Sequence, residues 1–67
     1  MVQVHLNGEP RAFPDGVTVA ELVDACGLRP EIVAVEVNRE LVARARRTTL
    51  LLRDGDQIEV VTLVGGG

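Results

Sequence analysis

The residues with the plainest chemical use are the last three, Gly65, Gly66 and Gly67, which follow the apolar run from Ile58 to Val64. Read as a terminus, they put a carboxylate on a thin stalk without side chains. Such a stalk can enter a narrow channel on another protein and offer its carboxylate for chemistry. Glycine suits that role because it lacks Cβ and lets a foreign surface approach the backbone. The bland alternative is a frayed end. Other candidates are weaker. His5 is the sole histidine and falls on the outward phase of a strand, with no companion ligand or base. Cys26 falls on an apolar helical stripe and reads as a packed thiol, with a transient acyl or persulfide link as the alternative. Arg44, Arg46 and Arg47 form a basic cluster that could hold phosphate but reads as a solvated loop. Asp54-Gly55-Asp56 lacks the spacing of a calcium loop and reads as a turn. No nucleophile-base pair, no paired catalytic carboxylates and no phosphate-cradling loop are found. The chain therefore reads as a substrate of other enzymes and not as an enzyme.

Composition narrows the classes further. At 67 residues there is room for one domain, and so short a chain buries only about 60% of its unfolded surface. One cysteine permits no internal disulfide, and no metal-ligand cluster is visible, so the fold rests on its 46% hydrophobic residues. Phe13 is the only aromatic, which argues against base stacking on nucleic acid. Net charge is −3, from acids outnumbering arginines with no lysine present, so a basic nucleic-acid footprint is missing. No apolar stretch is long enough for a membrane span, and Met1 to His5 has no signal-peptide pattern. A single thiol without an export signal points to the cytosol.

The elements that must position the tail follow from period and punctuation. Val2, Val4 and Leu6 alternate with Gln3 and His5, a half-buried strand. Asn7-Gly8 is a hairpin turn needing positive φ at both positions. Glu9 to Phe13 returns, with Pro10 implying an edge. Pro14-Asp15-Gly16 turns. Thr18 with Glu21 forms a capping box, and Val19, Leu22, Val23 and Cys26 make one apolar stripe of a helix over 18–26. Gly27 closes it, with Leu28 as the apolar contact. Val33, Val35 and Val37 define a third strand. Asn38-Arg39-Glu40 turns, Leu41-Val42 begins a weak strand, and 43–49 is a loop or ragged helix. Leu50 to Leu52 is expected to be buried. Asp54-Gly55-Asp56 turns into a last strand, Gln57 to Val64. The fold class is α+β, a mixed sheet of four to five strands with one main helix on one face. The expected inward set is Val2, Val4, Leu6, Val35, Val37, Ile58 and Val60. The expected division is a domain over 1–64 and a flexible glycine tail over 65–67.

Several segments in this order carry a resemblance: Leu6-Asn7-Gly8-Glu9, the helix Thr18-Val19-Ala20-Glu21-Leu22, the strand Val33-Ala34-Val35-Glu36-Val37-Asn38, and Arg53-Asp54-Gly55-Asp56-Gln57-Ile58-Glu59-Val60-Val61 before the glycines. Together they resemble the ubiquitin-like β-grasp sulfur carriers, and most of all the ThiS family of thiamin biosynthesis. The resemblance spans the chain. It departs at 43–49, where many members carry a proline and an aromatic, and in having three terminal glycines where many have two.

The resemblance implies a cycle in which this chain's side chains perform no chemistry. A ThiF-like adenylyltransferase would join the Gly67 carboxylate to AMP, using ATP and Mg. Sulfur from a persulfide donor would displace AMP and leave a thiocarboxylate, which a ThiG-like thiazole synthase would consume. No cofactor would be bound by the chain itself, and no metal, nucleic acid or membrane is called for. Gly65 and Gly66 would be the stalk. If Ile58 and Val60 face the helix, Val61, Leu63 and Glu59 face outward with Glu36 nearby, an apolar patch with an acidic surround that would dock the partners. Three other readings stay open: a carrier for another product such as molybdopterin, a ubiquitin-like modifier joined to target lysines, and a β-grasp binding module whose tail is inert.

Overall fold

The structure is a computed structural model that describes residues 1–63. The expectations on Val64, Gly65, Gly66 and Gly67, including where the domain ends, lie outside the described residues; the last strand, expected from Gln57 to Val64, ends at Thr62, with Leu63 already outside it.

Strands β1 (Val2–Leu6) and β2 (Glu9–Phe13) pair antiparallel, from Val2 opposite Phe13 to Leu6 opposite Glu9. The turn between them is tight because Asn7 and Gly8 both take positive φ, 51° and 83°, the two-residue geometry that matches strand twist. Helix α1 spans Val19–Ala25. Its start is fixed by the capping box: the Glu21 amide donates to Thr18 Oγ1 at 3.1 Å, and the Thr18 amide donates to Glu21 Oε1 at 2.9 Å. Gly27 at φ 72° ends it, a conformation that costs a residue with a Cβ. After a 3-10 turn at Pro30–Ile32 come β3 (Val33–Val37) and β4 (Glu40–Leu41), then β5 (Gln57–Thr62).

The sheet order is β2-β1-β5-β3-β4. The last strand thus lies in the middle, parallel to β1 and antiparallel to β3. This is the β-grasp arrangement expected from the sequence, with Pro10 on an edge strand as anticipated. Val4, Leu6, Val33, Val35, Ile58 and Val60 face α1 and bury with Val19, Leu22, Val23 and Phe13. Val2, Val37 and Cys26 are partly buried and pack against that cluster.

Three expectations are corrected. The basic segment is not a uniformly solvated loop. Arg44–Arg46 form a 3-10 turn, and Arg47 is buried, 6% exposed. Its guanidinium donates to the carbonyls of Pro30 at 2.9 Å and Val33 at 2.8 Å. These carbonyls lie near the start of β3, beyond the two residue pairs that the short β4 makes with it, and a buried carbonyl without a donor is costly. Leu50 to Leu52 is not buried throughout: Leu52 is in the core, while Leu51 is 53% exposed. Its backbone bridges Thr18, so one side chain of the run faces away from the core. The weak strand is Glu40–Leu41, one residue earlier than expected, because Asn38 and Arg39 both take positive φ and close the turn sooner.

Candidate functional site

The site is assembled around the outgoing end of β5. Register decides which side chains meet there. On the face away from α1, Glu36 stands opposite Glu59 and Ala34 opposite Val61. The Leu63 amide donates to the Ile32 carbonyl at 2.6 Å, which brings those two residues side by side. β4 adds Leu41 opposite Glu36. Val61 is 56% exposed, Leu63 55% and Leu41 72%.

An apolar surface therefore runs from Leu41 past the acid pair to Ala34, Val61, Ile32 and Leu63, where the described residues end. Each of the four docking residues expected from the sequence, Val61, Leu63, Glu59 and Glu36, is exposed, and the ladder brings them together. Sequence reasoning missed Ile32, Ala34 and Leu41. The alternation of β3 carried the signal for Ala34. Ile32 needed its hydrogen bond to Leu63, and Leu41 needed the pairing of β4, so neither could be placed from the sequence.

Two asparagines set this register. Asn7 holds the backbone of Val60 from the β1 side: the Val60 amide donates to Asn7 Oδ1 at 2.8 Å, and Asn7 Nδ2 donates to the Val60 carbonyl at 3.2 Å. Asn38 holds the other end of β5. Its backbone amide donates to the Gln57 carbonyl at 2.7 Å, and its Oδ1 accepts from the Gln57 amide at 2.9 Å. Asn38 Nδ2 in turn donates to Asp56 Oδ1 at 3.0 Å, while Asp56 Oδ2 accepts from the Arg53 amide at 2.8 Å. Asp56 is thus occupied as a turn residue, as expected of that segment. A slip of one residue would send Val61 and Glu59 to the core face, so these bonds fix which face the site occupies.

The remaining candidates lie elsewhere. His5 is exposed and pairs with Gln57, its Nδ1 3.2 Å from Gln57 Nε2. Arg46 lines a groove beside β4 with Leu51 and Arg53, near the Val37 end of β3. β5 leaves at the opposite, Val33 end. No cluster of metal-ligating side chains is found among the described residues. No helix there is long and apolar enough to cross a membrane.

Comparison with known proteins agrees with the fold. Residues 4–67 match the ThiS family. The chain is 42% identical over 64 residues to the sulfur carrier protein ThiS of Thermus thermophilus, covering 96% of this chain and 98% of that one. It is 44% identical over 66 residues to a thiazole synthase of Magnetococcus marinus, covering 98% of this chain but only 20% of that protein. The chain thus spans about a fifth of the length of the thiazole synthases it matches. The crystal structure of the thiamine biosynthesis protein ThiS from Geobacter metallireducens superposes with a TM-score of 0.78 at 33% identity, covering 98% of this chain and all of that one. With its β-grasp sheet, its β5 in the centre and this match over nearly its whole length, the chain belongs to the ThiS family of sulfur carriers.

Proposed function

We propose that the chain carries sulfur for thiamin thiazole synthesis on the carboxylate of Gly67. A carboxylate is a poor electrophile because its charge is delocalised and oxide is a bad leaving group. An adenylyltransferase of the ThiF kind would transfer AMP from Mg·ATP to the Gly67 oxygen and release pyrophosphate. The terminal sulfur of a persulfide would attack the acyl carbon and expel AMP. A thiol would then cleave the acyl disulfide, leaving the thiocarboxylate and a disulfide. A thiazole synthase would take that sulfur. The partners supply the electrostatic stabilisation and the metal that phosphoryl chemistry demands.

The observation that carries this reading is the course of β5. Its outward face, Glu59, Val61 and then Leu63, is exposed, and the sequence runs on from Leu63 to Gly65, Gly66 and Gly67, which supports a docking surface beside the tail. A partner seated on that face would lie against the strand that delivers the tail. A glycine stalk admits a narrow channel because it has no side chains to exclude. The two thiazole synthases that match this chain over about a fifth of their length support that enzyme as a partner.

The test is intact-protein mass spectrometry after incubation with the adenylyltransferase of the same genome, Mg·ATP and a persulfide donor. The expected result is the mass change of one oxygen-for-sulfur exchange, absent when Gly67 is deleted. An unchanged mass with a partner shown to be active on another carrier would rule this function out.

A further inference from the structure

Among the described residues, the last strand has one neighbour past Val60. β1 pairs with β5 only as far as Leu6 opposite Ile58, and Asn7 reaches no further than Val60. Val61, Thr62 and Leu63 are held by the start of β3 instead. Ala34 is opposite Val61, Val33 is opposite Thr62, and the Ile32 carbonyl accepts the Leu63 amide at 2.6 Å. The place from which the chain runs on to Gly65, Gly66 and Gly67 is therefore only as firm as residues 30–34.

That part of β3 has no strand on its other side. β4 pairs only with Glu36 and Val37, and the Val42 amide donates to the Val35 carbonyl at 2.8 Å. Beyond these the Arg47 side chain takes over, donating to the carbonyls of Val33 at 2.8 Å and Pro30 at 2.9 Å. Arg47 is itself mounted on the helix, because its own carbonyl accepts the Ala20 amide in the first turn of α1 at 2.9 Å. The guanidinium is buried, and its Nε has no hydrogen-bond partner. The ion pairs found among the described residues, Met1 with Asp15 and Arg29 with Glu31, leave it without a carboxylate. A buried cation without a counter-charge is unfavourable, and what its two bonds provide in return is the fixing of residues 30–33.

We infer that Arg47 is a positioning residue of the carrier: by clamping residues 30–33 to α1 it fixes the point from which the chain leaves β5 for Gly67. This rests on the function proposed above. A channel on a partner would then receive the tail from a defined place on the domain. Without the clamp, residues 61–63 sample other positions and only a fraction of the chains is competent at any moment, which lowers the apparent affinity by that fraction. Ordering those residues is added to the cost of binding, so the effect falls on KM and leaves kcat in place.

The test compares the wild type with Arg47→Met, Arg47→Lys and Phe13→Leu. Phe13→Leu is a core change on β2, at the far side of the sheet, that lowers stability away from the end of β5. Arg47→Lys keeps a cation but loses the planar fork that spans two carbonyls, and it carries the test if Arg47→Met does not fold. Adenylation by the adenylyltransferase of the same genome is followed by pyrophosphate release, at a temperature where circular dichroism shows each chain folded. Amide exchange is measured at Leu63. KM is expected to rise about 10-fold for Arg47→Met and less for Arg47→Lys, with kcat within about twofold of wild type. Exchange at Leu63 should accelerate in the same order, and Phe13→Leu should leave both KM and that exchange as in the wild type. An unchanged KM in the folded Arg47 variants would overturn the positioning role. An equal rise in Phe13→Leu would overturn it too, by making the effect one of stability. If the wild-type chain is not adenylated by a partner active on another carrier, the carrier function falls and this role with it. Adenylation of the wild type with KM unmoved in the variants removes the role alone.

Discussion

Asn7 and Val60 are 53 positions apart, yet the side-chain amide of one makes both hydrogen bonds to the backbone of the other. β1 runs parallel to β5 only as far as Leu6 opposite Ile58. At Asn7 the backbone turns away with φ 51°, and the side chain takes over the place of the next ladder residue. The last internal strand is therefore held in register beyond the point where its neighbour leaves, which keeps Val61 outward and Val60 in the core.

Asn7→Gly preserves the positive φ and removes both side-chain bonds. Its expected cost is about 1–3 kcal/mol, from buried backbone groups left unpaired. Urea denaturation followed by circular dichroism measures it. A midpoint equal to wild type would mean that water satisfies Val60 without cost.

Arg47→Met keeps the length of the stem and removes the guanidinium from the Pro30 and Val33 carbonyls. The loss is expected to be about 2–4 kcal/mol, the sum of two bonds to a charged donor less the relief of a buried cation. Val33 is the register partner of Thr62, so amide exchange at Thr62 and Leu63 should also accelerate. Stability within about 0.5 kcal/mol of wild type, the range of ordinary surface changes, would show that the clamp contributes nothing.

Val61→Asp puts a charge on an exposed position opposite Ala34, beside the acid pair. Folding should stay intact, and adenylation by the partner should slow by at least ~10-fold, as for a charge placed in the centre of an interface. The pair of readouts is the thermal midpoint and the initial rate of pyrophosphate release. A normal rate would remove this face from the docking surface.

Arg39→Gly removes a side chain from a residue at φ 69°. Relief of the left-handed conformation is worth roughly 1–2 kcal/mol, and the added freedom of the unfolded glycine takes back about 0.4–1. A net gain of about 0.5–1 kcal/mol is expected from the same denaturation experiment. A loss would mean that the Arg39 side chain has a stabilising contact of its own.

Much of the fold was legible because its signals are local. Asn7-Gly8, the Thr18–Glu21 box and Gly27 each specify a backbone conformation through the chemistry of two or three neighbouring residues. The alternation in Val33 to Val37 and in Gln57 to Val61 assigned faces in the same way. The segment 43–52 was not legible, because its order is tertiary. Arg47 has a sequence context of arginines and threonines that reads as solvated, and only the open carbonyls of Pro30 and Val33 give it a buried place. Leu51 sits among leucines, yet the bridge from its backbone to Thr18 turns its side chain outward.

By itself the sequence determined the strand and helix pattern, the glycine ending and the family, because periodicity, turn chemistry and order are properties of the chain. Only the tertiary structure decided that β5 lies between β1 and β3, that Glu36 faces Glu59, and that Ile32 and Leu41 join Val61 and Leu63 on one surface. The physical reason is that pairing partners are chosen by hydrogen bonds between segments far apart in the chain. Asn7 and Asn38 supply such bonds to β5, and nothing in their own neighbourhoods names the residues they hold.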